Sequence, residues 1–252
     1  MQMQTLDLSY NNLHGKVPIP GHPTYRQLLN YSNNIFSSTP ENFSWYLSQT
    51  AYISFARNNI SGQLPDTICR ARMLEVLDLS YNNFSGLIPP CLIEDGHLGL
   101  LNLRENRFEG ALSFVTKNRC TLQTIDLHGN KIEGPLPRLL SNCSELEVID
   151  FGNNHIADTF PSWLGKLSNL HVVVLRSNQF CHSVEPYVTL YKKIDLKNFS
   201  QVYRSLILPQ ITSQGFCAQN GLMDWWQWRQ NKIQKKLSGV NICLGDPTRI
   251  LL

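Results

Sequence analysis

Side chains able to do acid–base, nucleophilic or metal chemistry are present in this chain but unorganised. Seven histidines (His14, His22, His97, His128, His155, His171, His182) and seven cysteines (Cys69, Cys91, Cys120, Cys143, Cys181, Cys217, Cys243) are scattered along 252 residues. None falls in an H-E-x-x-H or C-x-x-C arrangement or at metal-ligand spacing. A G-x-S-x-G nucleophile turn, a phosphate-cradling glycine loop and a kinase signature are also missing. The expectation is a protein that is not an enzyme and has no cofactor or metal. What remains is the chemistry of recognition. Arg57, Arg104, Glu105, Arg107, His128, Lys131, His155 and Arg176 each stand one or two residues from an asparagine that recurs at a fixed interval. Guanidinium and imidazole groups in such places hydrogen-bond peptide carboxylates or glycans, although exposed charge also keeps a protein soluble.

The recurring asparagines define the elements that carry these charges. Asn11, Asn34, Asn58, Asn82, Asn106, Asn130, Asn154 and Asn178 are separated by 23 residues once and then by 24. Five residues before each stand Leu6, Leu29, Ile53, Leu77, Leu101, Ile125, Ile149 and Val173, and an apolar residue also stands three before and two after. The order L-x-x-L-x-L-x-x-N-x-L at a period of 20–29 residues is the signature of a leucine-rich repeat. The spacing of two inside L-x-L is that of a short strand with alternate side chains turned inward. Eight such strands are expected to stack into one parallel sheet. The fold class is therefore an α/β leucine-rich-repeat solenoid with a parallel concave sheet.

The breaker positions follow from the same geometry. The asparagine side chain, both donor and acceptor, is expected to satisfy backbone groups where the chain leaves the strand, forming a ladder through the array. Gly15, Gly62, Gly86, Gly110 and Gly134, four past the asparagine, permit a tight bend. Pro18, Pro65, Pro89, Pro137 and Pro161, seven past it, begin the convex side. Copies two, five, seven and eight break these rules at Ser38, Ser113, Asp158 and His182, where local distortion is expected. Asp7, Asp78, Asp126 and Asp150, four before their asparagines, recur with the repeat and read as scaffold.

The form Asn82-Asn83-Phe84-Ser85-Gly86-Leu87-Ile88-Pro89 resembles the plant extracellular class of these repeats. The stretch from Leu122 to Phe180, with Ser141-Asn142-Cys143, Asp158-Thr159-Phe160-Pro161-Ser162-Trp163-Leu164 and Val174-Leu175-Arg176-Ser177-Asn178-Gln179-Phe180, resembles the C-terminal repeat block of plant receptor-like proteins that lack a kinase, including resistance-type receptors. The resemblance covers roughly residues 1–185. It implies a location on the outer side of the plasma membrane, recognition of a peptide, protein or glycan on the concave face, and signalling in defence or development through a partner receptor kinase. A second reading is a secreted inhibitor of a microbial enzyme, similar to polygalacturonase-inhibiting proteins; a third is a gene remnant without function.

Composition narrows these readings. With 42% apolar and 16% charged residues the chain suits an ordered protein. The net charge is +3, but six Lys or Arg against two Asp lie after residue 198. The repeat region thus lacks the basic stripe of a nucleic-acid binder. Residues 1–8 open directly on a repeat strand, with no visible leader peptide. The array is expected over 1–198, degenerating near Ile194-Asp195-Leu196, and an irregular tail over 199–252. In that tail Leu222, Trp225, Trp226, Arg229, Ile233 and Leu237 fall at helical spacing and suit a cap on the open end. Six N-x-S sequons, at Asn30, Asn42, Asn59, Asn83, Asn142 and Asn198, offer glycosylation sites. An odd cysteine count leaves one unpaired, and Cys143 is read as a packed thiol in preference to a disulfide.

Overall fold

The computed structural model describes residues 4–18, 26–40, 43, 47–94, 97–112, 120–159 and 161–180. The degenerate repeat, the tail with its candidate helix, and the sequons at Asn42 and Asn198 lie outside the described residues. In each of the first seven repeats two strands alternate, and the eighth adds one. They are β1 (Thr5–Asp7), β2 (His14–Lys16), β3 (Gln27–Asn30), β4 (Ile35–Ser38), β5 (Thr50–Ser54), β6 (Ser61–Gln63), β7 (Val76–Asp78), β8 (Asn83–Gly86), β9 (Leu100–Asn102), β10 (Arg107–Ala111), β11 (Thr124–Asp126), β12 (Lys131–Gly134), β13 (Val148–Asp150), β14 (His155–Ile156) and β15 (Val172–Val174).

The odd-numbered strands form one eight-stranded sheet in sequence order, parallel throughout, with Ile125 opposite Leu101 on one side and Ile149 on the other. The even-numbered strands form a second parallel sheet, β6 to β14, with β2 and β4 paired beside it. Between the two sheets lies a single core. Leu77, Leu101, Ile125, Ile149, Leu103, Leu127 and Phe151 are wholly buried, and Phe84 and Phe108 stack with ring centroids 6.3 Å apart. The convex side is short: 3-10 turns at Asp66–Arg70, Arg138–Asn142 and Ser162–Lys166 follow Pro65, Pro137 and Pro161, and one helical turn spans Cys91–Glu94. Proline suits these starts because the first amide of a helical turn has no partner to lose.

The asparagine ladder is complete from Asn34 to Asn178. Asn130 is representative. Its Oδ1 accepts the Phe108 N–H of the preceding repeat at 3.0 Å, and its Nδ2 donates to Leu103 O of that repeat and to Leu127 O and His128 O of its own. Asn11, in the first repeat, donates only to Leu8 O and Ser9 O of its own turn. Immediately before each asparagine the backbone is left-handed: Tyr10, Asn33, Arg57, Tyr81, Glu105, Asn153 and Ser177 have φ between 53° and 56°, and Gly129 has 69°. Residues branched at Cβ are strained there, and none occupies the position.

Two of the four rule-breaking copies, the second and the seventh, are irregular at the positions their sequences single out. The β2–β4 register shifts between Gly15 and Lys16. Strand β14 is two residues long, and beyond it Asp158 Oδ2 accepts the Leu136 N–H at 3.0 Å, replacing a strand bond with a side-chain one. Ser113 and His182 lie outside the described residues.

Cys143 corrects the expectation of a packed thiol. It is disulfide-bonded to Cys120, and Cys69 is bonded to Cys91. The sequence separations, 23 and 22, are close to one repeat, so stacking brings each pair of Cβ atoms together. Cys120 and Cys143 remain buried, which accounts for the apolar surroundings inferred from the sequence. Closing loops of this length is worth about 3 kcal/mol each. A reducing agent is therefore expected to lower the thermal midpoint of the chain by several degrees, measured by circular dichroism with and without dithiothreitol.

Candidate functional site

Alternation along the odd-numbered strands turns Leu77, Leu101, Ile125 and Ile149 into the core, so the residues on either side of them face the concave surface. That surface has ordered rows. One row is Leu28, Tyr52, Val76, Leu100, Thr124, Val148 and Val172, each 24 residues from the next and all buried. It stands outside the main core. Reading from the asparagines missed this row, although its period is as regular as theirs. Beside it runs a polar row. Asp7, Asp78, Asp126 and Asp150 each accept through Oδ1 the N–H two residues on, as Asn30 and Asn102 also do. These carboxylates hold the turn out of the strand, which is the scaffold role their recurrence implied.

In repeats five to seven the polar row is joined by charge. Arg104 reaches across two repeats: its Nη1 lies 3.4 Å from Asp126 Oδ2 and 3.1 Å from Asp150 Oδ2, and its Nε donates to the Tyr81 hydroxyl at 3.2 Å. His128 Nδ1 is 3.1 Å from Asp150 Oδ1, and its Nε2 is 3.9 Å from Glu105 Oε1. Arg57 lies over the Tyr81 ring, Cζ to centroid 4.4 Å, a cation–π contact. Burial, reinforced by the Asp150 charge, pushes the Asp126 carboxyl well above the ordinary range in spite of Arg104. The two carboxylates together push the Arg104 guanidinium up, outweighing the opposing effect of its burial.

The eight residues singled out in the sequence divide into three groups. Arg104 and His128 are buried in this network, so neither is the solvent-facing side chain its offset suggested. Their side chains are engaged by residues 22 to 46 positions away, a distance at which sequence pattern gives no signal. Arg57 is exposed and Glu105 half-buried on the rim where the sheet turns, one residue before their asparagines, whereas the half-buried Arg176 stands two before Asn178, in the row of Arg104 and His128. Arg107, Lys131 and His155 are exposed but begin β10, β12 and β14, which places them on the second sheet rather than on the concave floor. Among the described residues no group of His, Cys, Asp or Glu could hold a metal ion, and no helix is long and apolar enough to cross a membrane.

The family model "Leucine Rich Repeat" matches residues 2–21, 73–94, 121–143 and 145–167. No curated protein matches the chain. Among solved structures, the Arabidopsis receptor kinase HAESA in complex with the peptide hormone IDA and the co-receptor SERK1 is similar, with TM-score 0.66 and 26% identity over 72% of this chain and 30% of that one. The plant peptide hormone receptor RGFR1 in complex with RGF2 gives TM-score 0.62 and 24% identity over 70% of this chain and 28% of that one. The ectodomain of the Arabidopsis receptor kinase GASSHO1/SCHENGEN3, in complex with CASPARIAN STRIP INTEGRITY FACTOR 2, gives 0.60 and 24% over 74% and 26%. The chain thus spans under a third of the length of these structures. Two parallel sheets, an unbroken asparagine ladder and the matched repeats make this chain a leucine-rich-repeat solenoid, of the fold seen in the ectodomains of plant receptor kinases.

Proposed function

We propose that the chain is a non-catalytic recognition module, similar to the ectodomain of a plant receptor-like protein, that takes a peptide, protein or glycan along its concave face and rim. The observation that carries this reading is the rim itself. Left-handed backbone before every asparagine lifts Arg57, Tyr81 and Glu105 out of the sheet at successive rungs, on a scaffold similar to one solved with a peptide hormone and a co-receptor kinase. A partner receptor kinase, a role in defence or developmental signalling, and a place on the outer side of the plasma membrane belong to the same proposal. Two disulfides between repeats support the location, because such bonds persist in oxidising compartments and are rare in the cytosol.

The reading is tested by selecting binders to the full chain from a library of short peptides and remeasuring them on substituted proteins. Arg57→Glu and Arg176→Glu are each expected to weaken the selected peptides at least ~10-fold, as loss of a charge-assisted hydrogen bond does. Arg138→Glu, at an exposed site on the convex side, is expected to change affinity less than ~2-fold. Equal losses from these two substitutions and the convex one would place recognition elsewhere and refute the proposal.

A further inference from the structure

Two of the glycosylation sequons sit on neighbouring rungs of the second sheet. Asn59-Ile60-Ser61 and Asn83-Phe84-Ser85 begin one residue past the ladder asparagines Asn58 and Asn82. Asn83 Nδ2 donates to Asn59 Oδ1 at 2.6 Å. The backbone of both residues is held in place. The Asn59 N–H donates to Phe36 O and the Asn83 N–H to Ile60 O, Ser61 is in register with Asn83, and the intervening Ile60 and Phe84 are anchored in the core. In the strand register Asn83 stands opposite Ser61, so it is the contact between the two side-chain amides, closer than the width of an N-acetylated pyranose, that sets the spacing of the pair.

We propose that Asn59 and Asn83 together form one modification site that accepts a single N-linked glycan, on either asparagine but not on both in the folded chain. The proposal rests on the secretory reading above. In the transfer, the asparagine amide nitrogen forms a bond to C1 of the reducing sugar of a lipid-linked diphosphate oligosaccharide. The C1–O bond to the diphosphate breaks, the lipid diphosphate leaves, and one amide proton goes to a base. The nitrogen keeps its second proton. A glycan on Asn83 therefore leaves an N–H to give Asn59 Oδ1, and a glycan on Asn59 leaves that oxygen free to accept. One modification preserves the rung contact, whereas two place both cores against it. Transfer precedes folding, so the restriction acts on which modified chains fold and leave the cell.

The test counts glycans on secreted protein by intact mass before and after enzymatic deglycosylation, with the full chain directed into the secretory pathway of plant cells. Wild type, Asn59→Gln and Asn83→Gln are expected to carry the same number, and the double substitution one fewer. Both asparagines are at or near the surface, so the single variants fold. A count that falls by one in either single variant overturns the pairing, as does a count unchanged in the double. Protein without sugar in all four forms, the exposed Asn142 included, overturns the secretory reading together with the pairing.

Discussion

Replacing Asn130 with leucine is expected to lower the unfolding free energy by about 3–5 kcal/mol, because a buried donor and acceptors lose their partners at once. The Phe108 N–H is left without an acceptor, and Leu103 O, Leu127 O and His128 O lose the amide that bridges two repeats. The site is buried, so water does not replace these bonds at low cost. The effect should spread to both neighbours, since each repeat is stabilised chiefly by the interface with the next. Urea unfolding followed by circular dichroism is the measurement. Asn12→Leu, one residue past the first ladder asparagine but exposed, is the control and should cost under about 0.5 kcal/mol.

Arg104→Met is the second large effect, expected at about 3–5 kcal/mol near neutral pH. The substitution keeps the length of the stem but leaves Asp126 and Asp150, both almost fully buried, without their shared cation. The sign of the pH dependence follows from Asp126. Its pKa in the folded chain is already raised by burial and by Asp150, so between the ordinary carboxylate range and the raised value the folded state binds a proton more tightly than the unfolded state does. Stability from this group is present below the unfolded carboxylate range and disappears as pH rises through the raised value. Without Arg104 the carboxyl is pushed higher still. The variant should therefore recover part of its lost stability on acidification from neutral pH toward the ordinary carboxylate range. Asp126→Asn, which removes one of the two charges, should be much milder at neutral pH. A variant equally unstable at all pH values would show that Arg104 acts by packing rather than charge.

What the sequence made legible was whatever the 24-residue period repeats with one residue type. The inward apolar pairs, the ladder asparagines and the bends at Gly86, Gly110 and Gly134 all return on schedule, and stacking turns each into a column. The left-handed position was hidden because Tyr, Asn, Arg, Glu, Gly and Ser all occupy it; their common property is that none is branched at Cβ. Cys69–Cys91 and Cys120–Cys143 were hidden for the opposite reason. A separation near one repeat is a contact in a solenoid, yet each cysteine was weighed in its own repeat alone. The Arg104 network was beyond sequence reading. Asp150 is 46 residues away, and nothing periodic links an arginine to an aspartate two repeats on.

The same stacking logic separates the candidate surface into parts with different tasks. Arg104 and His128 hold the concave floor of repeats five to seven in place, Arg176 continues their row half-buried, Arg57 and Glu105 occupy the rim, and Arg107, Lys131 and His155 the flank. Charge reversal at the rim tests recognition, whereas charge removal at Arg104 tests the scaffold that presents it.

The central claim, a recognition solenoid assembled outside the reducing cytosol, is tested most directly by mapping disulfides in the chain isolated from its native source, alkylated before denaturation and digested without reductant. Peptides linked through Cys69–Cys91 and through Cys120–Cys143 are expected in nearly all molecules. Alkylated thiols at these four cysteines in natively folded protein would contradict it.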